Sequence, residues 1–251
     1  MGAVHFELDD HVATITLDNP DKHNAVDAPM RDALAAALHR VEAEDDIRAA
    51  IIRGVGESFC AGGSIDGYLS QGTFGPGAVP LPKIPRPWPA KKPYIAAMSG
   101  HAYGGGFALA LACDLRVAGR GAQMGPTGLK MGAVQGAQTI TRLTRLIGES
   151  RATEILLLSR RVGGEEAAAL GLVQAVTDDA QVYDHALGWA RSIARFSPWT
   201  VQQTKRLIGA VQDLPFDEAV AEEDRINAES YTRPDALEGF TAFTEKRRPV
   251  F

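Results

Sequence analysis

At 251 residues the chain can bury a sizeable core, and its 45% hydrophobic and 23% charged residues are typical of a globular protein of one domain with an appendage. A formal net charge of −5 without a basic stripe argues against nucleic acid or an anionic membrane surface as the main partner. Because no apolar run approaches a membrane-spanning length and the amino-terminal residues lack signal-peptide character, we expect a cytoplasmic protein.

The first part of the chain alternates between predicted strands and one helix. Residues 4–8 and 12–17 alternate between apolar and polar side chains, which predicts a β-hairpin. Asp27 is a predicted N-cap, and apolar side chains at helical spacing predict a helix from there to about Val41. The apolar run 49–53 predicts the next strand.

Two glycine-rich turns follow predicted buried strands and lead into predicted helices. Residues 54–66 follow the strand at 49–53, and residues 99–114 follow a strand at 94–98. Glycines at a helix start leave backbone N–H groups uncovered, and such a spot binds anions or developing oxyanions. Tight packing of helix on strand is the structural alternative for a single turn. Two such turns favour a pair of converging donors, as an oxyanion hole requires.

The segment between the two turns is rich in glycine and proline. Residues 72–93 have neither a helical nor a strand pattern, and a stretch of this length inside a domain is uncommon. It predicts either a lid with Trp88 as an apolar plug or a surface loop.

The rest of the chain predicts an α/β core followed by a helical layer. Strands are predicted at 115–118 and 172–176. The predicted helices cover residues 139–147, 149–158, 165–170, 189–196, 198–211, 217–231 and 234–247.

The two cysteines predict no disulfide. Cys60 and Cys113 each lie among small apolar residues, which is typical of buried, reduced thiols. The six histidines are scattered, without a paired Cys or His-Glu motif, so the sequence predicts no metal site.

Taken together, the residues resemble the crotonase, or enoyl-CoA hydratase/isomerase, superfamily over nearly the whole chain. The matching segments, in chain order, are 19–25, 58–65, 104–106, 112–116 and 238–247. The resemblance implies a spiral of ββα units over residues 1–195. It also implies a C-terminal helical region over residues 196–251 that builds homotrimers or homohexamers.

The resemblance implies an acyl-CoA thioester as ligand, with coenzyme A as part of the substrate and no cofactor bound covalently. By position, the backbone N–H groups of Gly63 and Gly105 would bind the thioester oxygen and stabilise the enolate that forms when charge moves onto it. The residues that match the region holding the nucleotide end of the coenzyme are Lys22, His23, Ala25, Ala61, Ile65 and Lys246. A solvated surface charge is the structural alternative for the two lysines.

The chain departs from the family pattern where the hydratases carry two glutamates. The first glutamate falls at Ala108 and the second at Gly128, and an aspartate used by some isomerases falls at Gly136. Adding water across an enoyl double bond requires one group that positions and deprotonates water and another that manages the proton at the α carbon. Alanine and glycine can do neither, so the resemblance implies an acyl-CoA protein that is not an ordinary hydratase.

Three nearby side chains are candidates to carry the proton instead: Asp66, Tyr68 and His101. Asp66 and Tyr68 follow the first glycine turn at a predicted helix start, where an ionised Asp66 suits a base better than an acid. The structural alternatives are helix capping by Asp66, packing by Tyr68 and a hydrogen-bonded structural role for His101 at the end of a strand.

Three functions are compatible with these features. The first is an enzyme that makes a thioester enolate and performs isomerisation, decarboxylation or thioester hydrolysis with a non-standard proton carrier. The second is a catalytically silent acyl-CoA binder or regulator that keeps the pocket without the acid/base pair. The third is a structural subunit of a hetero-oligomer, which does not account for two glycine-lined turns.

Overall fold

The computed structural model describes residues 2–70, 75–77 and 83–251. The strands are β1 (Ala3–Asp9), β2 (Val12–Asp18), β3 (Ala49–Gly54), β4 (Ser58–Cys60), β5 (Tyr94–Met98), β6 (His101–Tyr103), β7 (Leu115–Gly119), β8 (Gln123–Gly125), β9 (Val162–Gly163) and β10 (Ala175–Thr177). The α-helices are α1 (Ala28–Ala43), α2 (Ile65–Ser70), α3 (Gly105–Ala112), α4 (Thr139–Ile147), α5 (Glu149–Leu157), α6 (Gly164–Ala169), α7 (Val182–Ala194), α8 (Pro198–Ala210), α9 (Phe216–Tyr231) and α10 (Pro234–Thr244).

The strands form two sheets that are built up together along the chain. One has the order β1-β2-β3-β5-β7-β10, in which β1 pairs antiparallel with β2 and every other pair is parallel. The other has the order β4-β6-β8-β9, in which only the β8–β9 pair is antiparallel. Three strands of the first sheet, β3, β5 and β7, are each followed by a short strand of the second sheet and then by a helix, as in β3-β4-α2 and β5-β6-α3. This repetition is the predicted spiral of ββα units.

The larger sheet is buried on both faces, as a mainly parallel sheet requires. Ile52 and Ala96 belong to the main core with α1 and α3, whereas Ile51 and Ile95 on the opposite face pack with α7. Consecutive apolar residues in β3 and β5 are therefore both inside, which explains their continuous apolar runs.

Most predicted elements of the amino-terminal half are confirmed. The hairpin is β1 and β2, and the predicted helix is α1, whose N-cap Asp27 accepts a hydrogen bond from the Met30 N–H at 3.0 Å. In the carboxyl-terminal half, the strand predicted at 172–176 has the wrong bounds. β10 begins at Ala175, and Leu172 precedes it as a buried loop residue.

Two helix predictions near the carboxyl terminus also need correction. The helix predicted at 189–196 is the longer α7, which begins at Val182 and ends before Phe196, and the final helix ends at Thr244 instead of Arg247. The three helices α8 to α10 follow α7 as the predicted helical region. Apolar side chains at Leu237, Phe240 and Phe243 of α10 are exposed.

In the described part of the chain, no helix is both long and apolar enough to cross a membrane.

Candidate functional site

The two glycine turns lie against each other at backbone distance. An ideal Cβ built on Gly62, which has a φ of +110°, would lie 3.1 Å from the Gly105 nitrogen. One built on Gly106 would overlap the backbone of Cys60. Glycine is required here because any side chain would separate the first turn from the start of α3.

Each turn presents an uncommitted backbone donor. Val26 forms a parallel bridge with Gly63: the Val26 N–H donates to the Gly62 carbonyl, and the Val26 carbonyl accepts from the Ser64 N–H. Because these two bonds come from the residues on either side of Gly63, the N–H of Gly63 faces away from Val26. Gly105 is the first residue of α3, where the first N–H groups have no partner within the helix. Neither N–H donates a hydrogen bond to another of the described residues. The pair lies beside the positive end of the α3 dipole, which favours an anionic oxygen.

Tyr68 lies over the first of these glycines. An ideal Cβ on Gly63 would fall 2.7 Å from Tyr68 Cε2 and closer still to the hydroxyl oxygen. Tyr68 also lines a small cavity of about 20 Å³ together with Val26, Arg31 and Ile84. Burial raises the pKa of the Tyr68 phenol, and the nearby Arg31 charge opposes this shift in part. The phenol is therefore protonated at neutral pH and can donate a proton.

Ile84 covers the second glycine. Its Cδ1 lies 2.6 Å from the ideal Cβ position of Gly105, and the side chain is buried. The sequence does not mark this residue as part of the site, because a single isoleucine in a proline-rich segment has no periodic signal. Trp88, the residue predicted as an apolar plug, does not fill an enclosed space. Its side chain is half exposed, and the Arg142 guanidinium stacks on its ring at 4.4 Å. Residues 72–74 and 78–82 of the predicted lid segment lie outside the described residues.

Asp66 is placed away from the enclosed part of the site. It lies in the first turn of α2 with its side chain 83% exposed, and its carboxylate pairs with Lys22 Nζ at 3.0 Å. The structure thus brings together a candidate proton carrier and a candidate coenzyme-binding lysine. Both face solvent at the edge of the glycine turns.

His101 belongs to a polar cluster on the second sheet. It begins β6, so its predicted position at the end of the preceding strand is wrong: two residues separate it from β5. Its Nδ1 lies 3.3 Å from Ser58 Oγ, which also contacts His23 Nδ1 at 3.1 Å. The His101 ring stacks on Tyr103 at 5.2 Å. His101 therefore has a hydrogen-bond partner in Ser58 and a stacking partner in Tyr103, as a structural histidine does.

The other predicted coenzyme-binding residues fall into two groups. The segments 22–25 and 61–65 are adjacent, since the Ala61 N–H donates to the His23 carbonyl at 2.9 Å. Ile65, at the start of α2, is 55% exposed and free to contact a ligand. Lys246 lies beyond α10, and within the described residues no side-chain contact joins it to either segment.

Ala108 and Gly128 are the positions at which the resemblance predicts that the two hydratase glutamates are replaced. Ala108 is buried in α3, and Gly128 begins a 3₁₀ turn that ends at Met131. An ideal Cβ on Gly128 would lie 2.8 Å from the Ala133 carbonyl oxygen, so the backbone itself closes this space. The side-chain amide oxygen of Gln135 accepts hydrogen bonds here from the N–H groups of residues 127 and 128.

Both cysteines are buried, as predicted, and neither forms a disulfide. Burial raises the pKa of the Cys60 thiol to about 12, and Cys113 is raised to a similar value. These pKa values make both thiols poor nucleophiles at neutral pH. No group of three or more His, Cys, Asp or Glu residues within the described ranges could hold a metal ion.

Comparison with known proteins gives consistent matches over the full chain. The family model for enoyl-CoA hydratase/isomerase matches residues 7–251. The (E)-benzylidenesuccinyl-CoA hydratase of Thauera aromatica is 34% identical over 99% of this chain and 98% of its own. Mevalonyl-coenzyme A hydratase of Beauveria bassiana is also 34% identical, over 96% of this chain and 91% of its own. The crystal structure of enoyl-CoA hydratase from Mycobacterium tuberculosis superposes with a TM-score of 0.90 at 34% identity, covering 98% of this chain and 97% of that one.

Proposed function

Because the chain belongs to the enoyl-CoA hydratase/isomerase family, whose members act on CoA thioesters, we propose that it binds an acyl-CoA and stabilises a thioester enolate at Gly63 and Gly105. The observation that carries this proposal is the pair of uncommitted backbone N–H groups on two touching glycine turns. Each donor in such a hole contributes about 3 kcal/mol to the stabilisation of the transition state.

Tyr68 is the side chain best placed to move the proton. Its hydroxyl lies over Gly63, and its raised pKa keeps it protonated. In a decarboxylation, the enolate left when carbon dioxide departs from the acyl group would take the phenolic proton at the α carbon, and water would then reprotonate the phenolate. Asp66 and His101 are weaker candidates, since Asp66 is exposed and paired with Lys22, and His101 is engaged with Ser58.

Ordinary hydration is not part of this proposal. Hydration needs one group that deprotonates water and a second that handles the α proton. Ala108 and Gly128 stand where the family places those two groups, and neither has an ionisable side chain. Isomerisation and decarboxylation pass through an enolate and need fewer positioned groups than hydration, so the enolate proposed here leads to one of these two reactions. Thioester hydrolysis would use the same two donors for a tetrahedral oxyanion.

The coenzyme itself would lie across the edge of the glycine turns. Support comes from the adjacency of segments 22–25 and 61–65, and from the exposed cation of Lys22 beside them. Lys246 belongs to this site only if chain movement or another subunit brings it near. The exposed apolar side chains of α10 support assembly into a homotrimer or homohexamer. The location that we propose for this assembly is the cytoplasm.

A mass-spectrometric incubation in heavy water tests the proposal. Saturated, 2-enoyl and 3-enoyl CoA thioesters are mixed with the protein at high concentration, and deuterium at the α carbon is measured. Exchange or any other mass change that the Tyr68→Phe variant loses supports the proposed enolate and its proton carrier. Thioesters that bind tightly and stay unchanged would instead indicate the catalytically silent binder, for which the absence of carboxylates at positions 108 and 128 is the supporting observation.

A further inference from the structure

A second cavity lies at the carboxyl edge of the larger sheet, with a volume of about 330 Å³. Arg53 near the end of β3 and Ser99 just after β5 form one side, and Asp179 and Tyr183 around the start of α7 form the other. Gly54, Gly56 and Ser99 lie at the starts of the two glycine-rich segments, but the lining includes neither Gly63 nor Gly105 and no residue of the small cavity beside Tyr68. Its volume falls in the range of small-molecule sites.

The position of this cavity is one where α/β proteins bind ligands. In open parallel sheets, ligands bind in crevices outside the carboxyl ends of the strands. β3 and β5 are parallel neighbours, and their carboxyl ends bring Arg53 and Ser99 to the same edge. The α7 helix covers this face of the sheet, so a ligand entering here is enclosed on two sides.

Arg53 supplies the charge that the cavity offers to a ligand. Its guanidinium lies 4.5 Å from the centre of the Tyr183 ring, which supports one face of the group. Within the described residues it has no carboxylate partner and donates no hydrogen bond. A guanidinium has five N–H donors in a fixed planar fork, which matches the two oxygens of a carboxylate. The hydroxyl of Ser99 likewise has no hydrogen-bond partner in the described ranges.

The opposite wall limits the charge of the ligand. Asp179 lines the cavity, and both of its oxygens accept the Gly121 N–H at 3.3 Å. Its negative charge disfavours a dianion such as phosphate and tolerates a monoanion held by Arg53. The remaining lining is small and apolar, including Ala97 and Val182, which suits a short alkyl chain.

From these features we propose that this cavity is a binding site for a short-chain monocarboxylate. The carboxylate accepts hydrogen bonds from the Arg53 guanidinium and the Ser99 hydroxyl, and the alkyl chain lies against Ala97 and Val182. This inference does not depend on the acyl-CoA proposal, because the cavity is lined by neither of the proposed oxyanion donors, Gly63 and Gly105, nor by Tyr68.

Calorimetric titration of the full chain with butyrate, and separately with inorganic phosphate, tests the proposal. We expect wild-type protein to bind butyrate more tightly than phosphate. Arg53→Gln should weaken butyrate binding at least tenfold, equivalent to about 1.4 kcal/mol. Ser99→Ala should weaken it several-fold, and Arg53→Lys should give an intermediate loss because lysine keeps the charge without the planar fork.

The matched control is Arg151→Gln, which removes the same charge from an exposed arginine of α5 outside the cavity. This variant should bind butyrate as the wild type does. Butyrate binding should also persist at saturating coenzyme A, since the two sites are separate. No butyrate binding by the wild type, equal losses in the Arg53→Gln and Arg151→Gln variants, tighter binding of phosphate, or displacement by coenzyme A would each overturn the proposal. If Arg53→Gln fails to fold by circular dichroism, Ser99→Ala decides.

Discussion

The contact between the two glycine turns makes a strong prediction for Gly106→Ala. An ideal Cβ at this position lies 2.7 Å from the Cys60 carbonyl carbon and 2.8 Å from Cys60 Cβ, whereas ordinary contact begins at 3.4 Å. Because the obstruction is mainly backbone, it cannot be relieved by rotating a flexible side chain. Overpacking of this kind costs about 1–3 kcal/mol. The better helix propensity of alanine returns up to about 1 kcal/mol, so we expect a net loss near 2 kcal/mol.

Denaturant unfolding followed by circular dichroism measures this loss, and Gly188→Ala is the matched control. Gly188 lies inside α7, and no atom lies within 4 Å of its ideal Cβ, so the same substitution there should stabilise the protein by about 0.5–1 kcal/mol. Gly106→Ala should also weaken acyl-CoA binding, because moving Cys60 moves the turn that carries Gly63. A Gly106→Ala protein with wild-type stability and wild-type acyl-CoA affinity would refute the close packing of the two turns.

Three other changes have outcomes that follow from the structure. Tyr68→Phe should reduce turnover by about 10²- to 10⁴-fold with little change in KM, and an unchanged rate in the variant would exclude Tyr68 as the proton carrier. Because burial raises the pKa of Tyr68, wild-type turnover should persist through the pH range in which an exposed phenol ionises and fall only at higher pH. Arg116→Met should lower the free energy of unfolding by about 3 kcal/mol, because the buried guanidinium donates to two backbone carbonyls that would lose their partner. A loss below about 1 kcal/mol in denaturant unfolding would contradict this role. Cys60, with its pKa near 12, should resist alkylation at pH 8 in the native protein and react after denaturation; rapid native modification in mass spectra would show that the thiol is not buried.

The long elements of the fold were predictable because their side chains carry a periodic signal. The alternation in 4–8 and 12–17 predicted the hairpin, and the runs at 49–53 and 94–98 predicted strands of the α/β core. The glycine turns were also predictable as places of close packing, since glycine allows a helix start to approach a neighbouring backbone, as Gly106 does at Cys60. Their role as donor sites stays a prediction.

The second sheet was not predictable from pattern alone. β4, β6 and β8 have three residues each, which is too short for alternation to show against neighbouring glycines. Their existence is set by pairing with one another, a tertiary effect. For this reason the position of His101 was misassigned, since it begins β6 instead of ending the previous strand.

The candidate site was predictable in its backbone and not in its side chains. Gly63 and Gly105 follow from position, but the choice between Asp66 and Tyr68 depends on which side chain α2 turns toward the cavity. The two residues are two positions apart on α2 and face different sides of it. Asp66 lies in solvent beside Lys22, and Tyr68 lies over Gly63. Ile84 approaches Gly105 from a distant segment, and no local pattern marks that contact.

Isotope-edited infrared spectroscopy of a bound acyl-CoA tests the central claim most directly. With ¹³C at the thioester carbonyl, hydrogen bonds from Gly63 and Gly105 should lower the carbonyl stretching frequency below its value in water. The same lowering should appear in the Tyr68→Phe variant, because the donors are backbone N–H groups. A bound carbonyl frequency equal to or above that in water would contradict the proposed oxyanion hole.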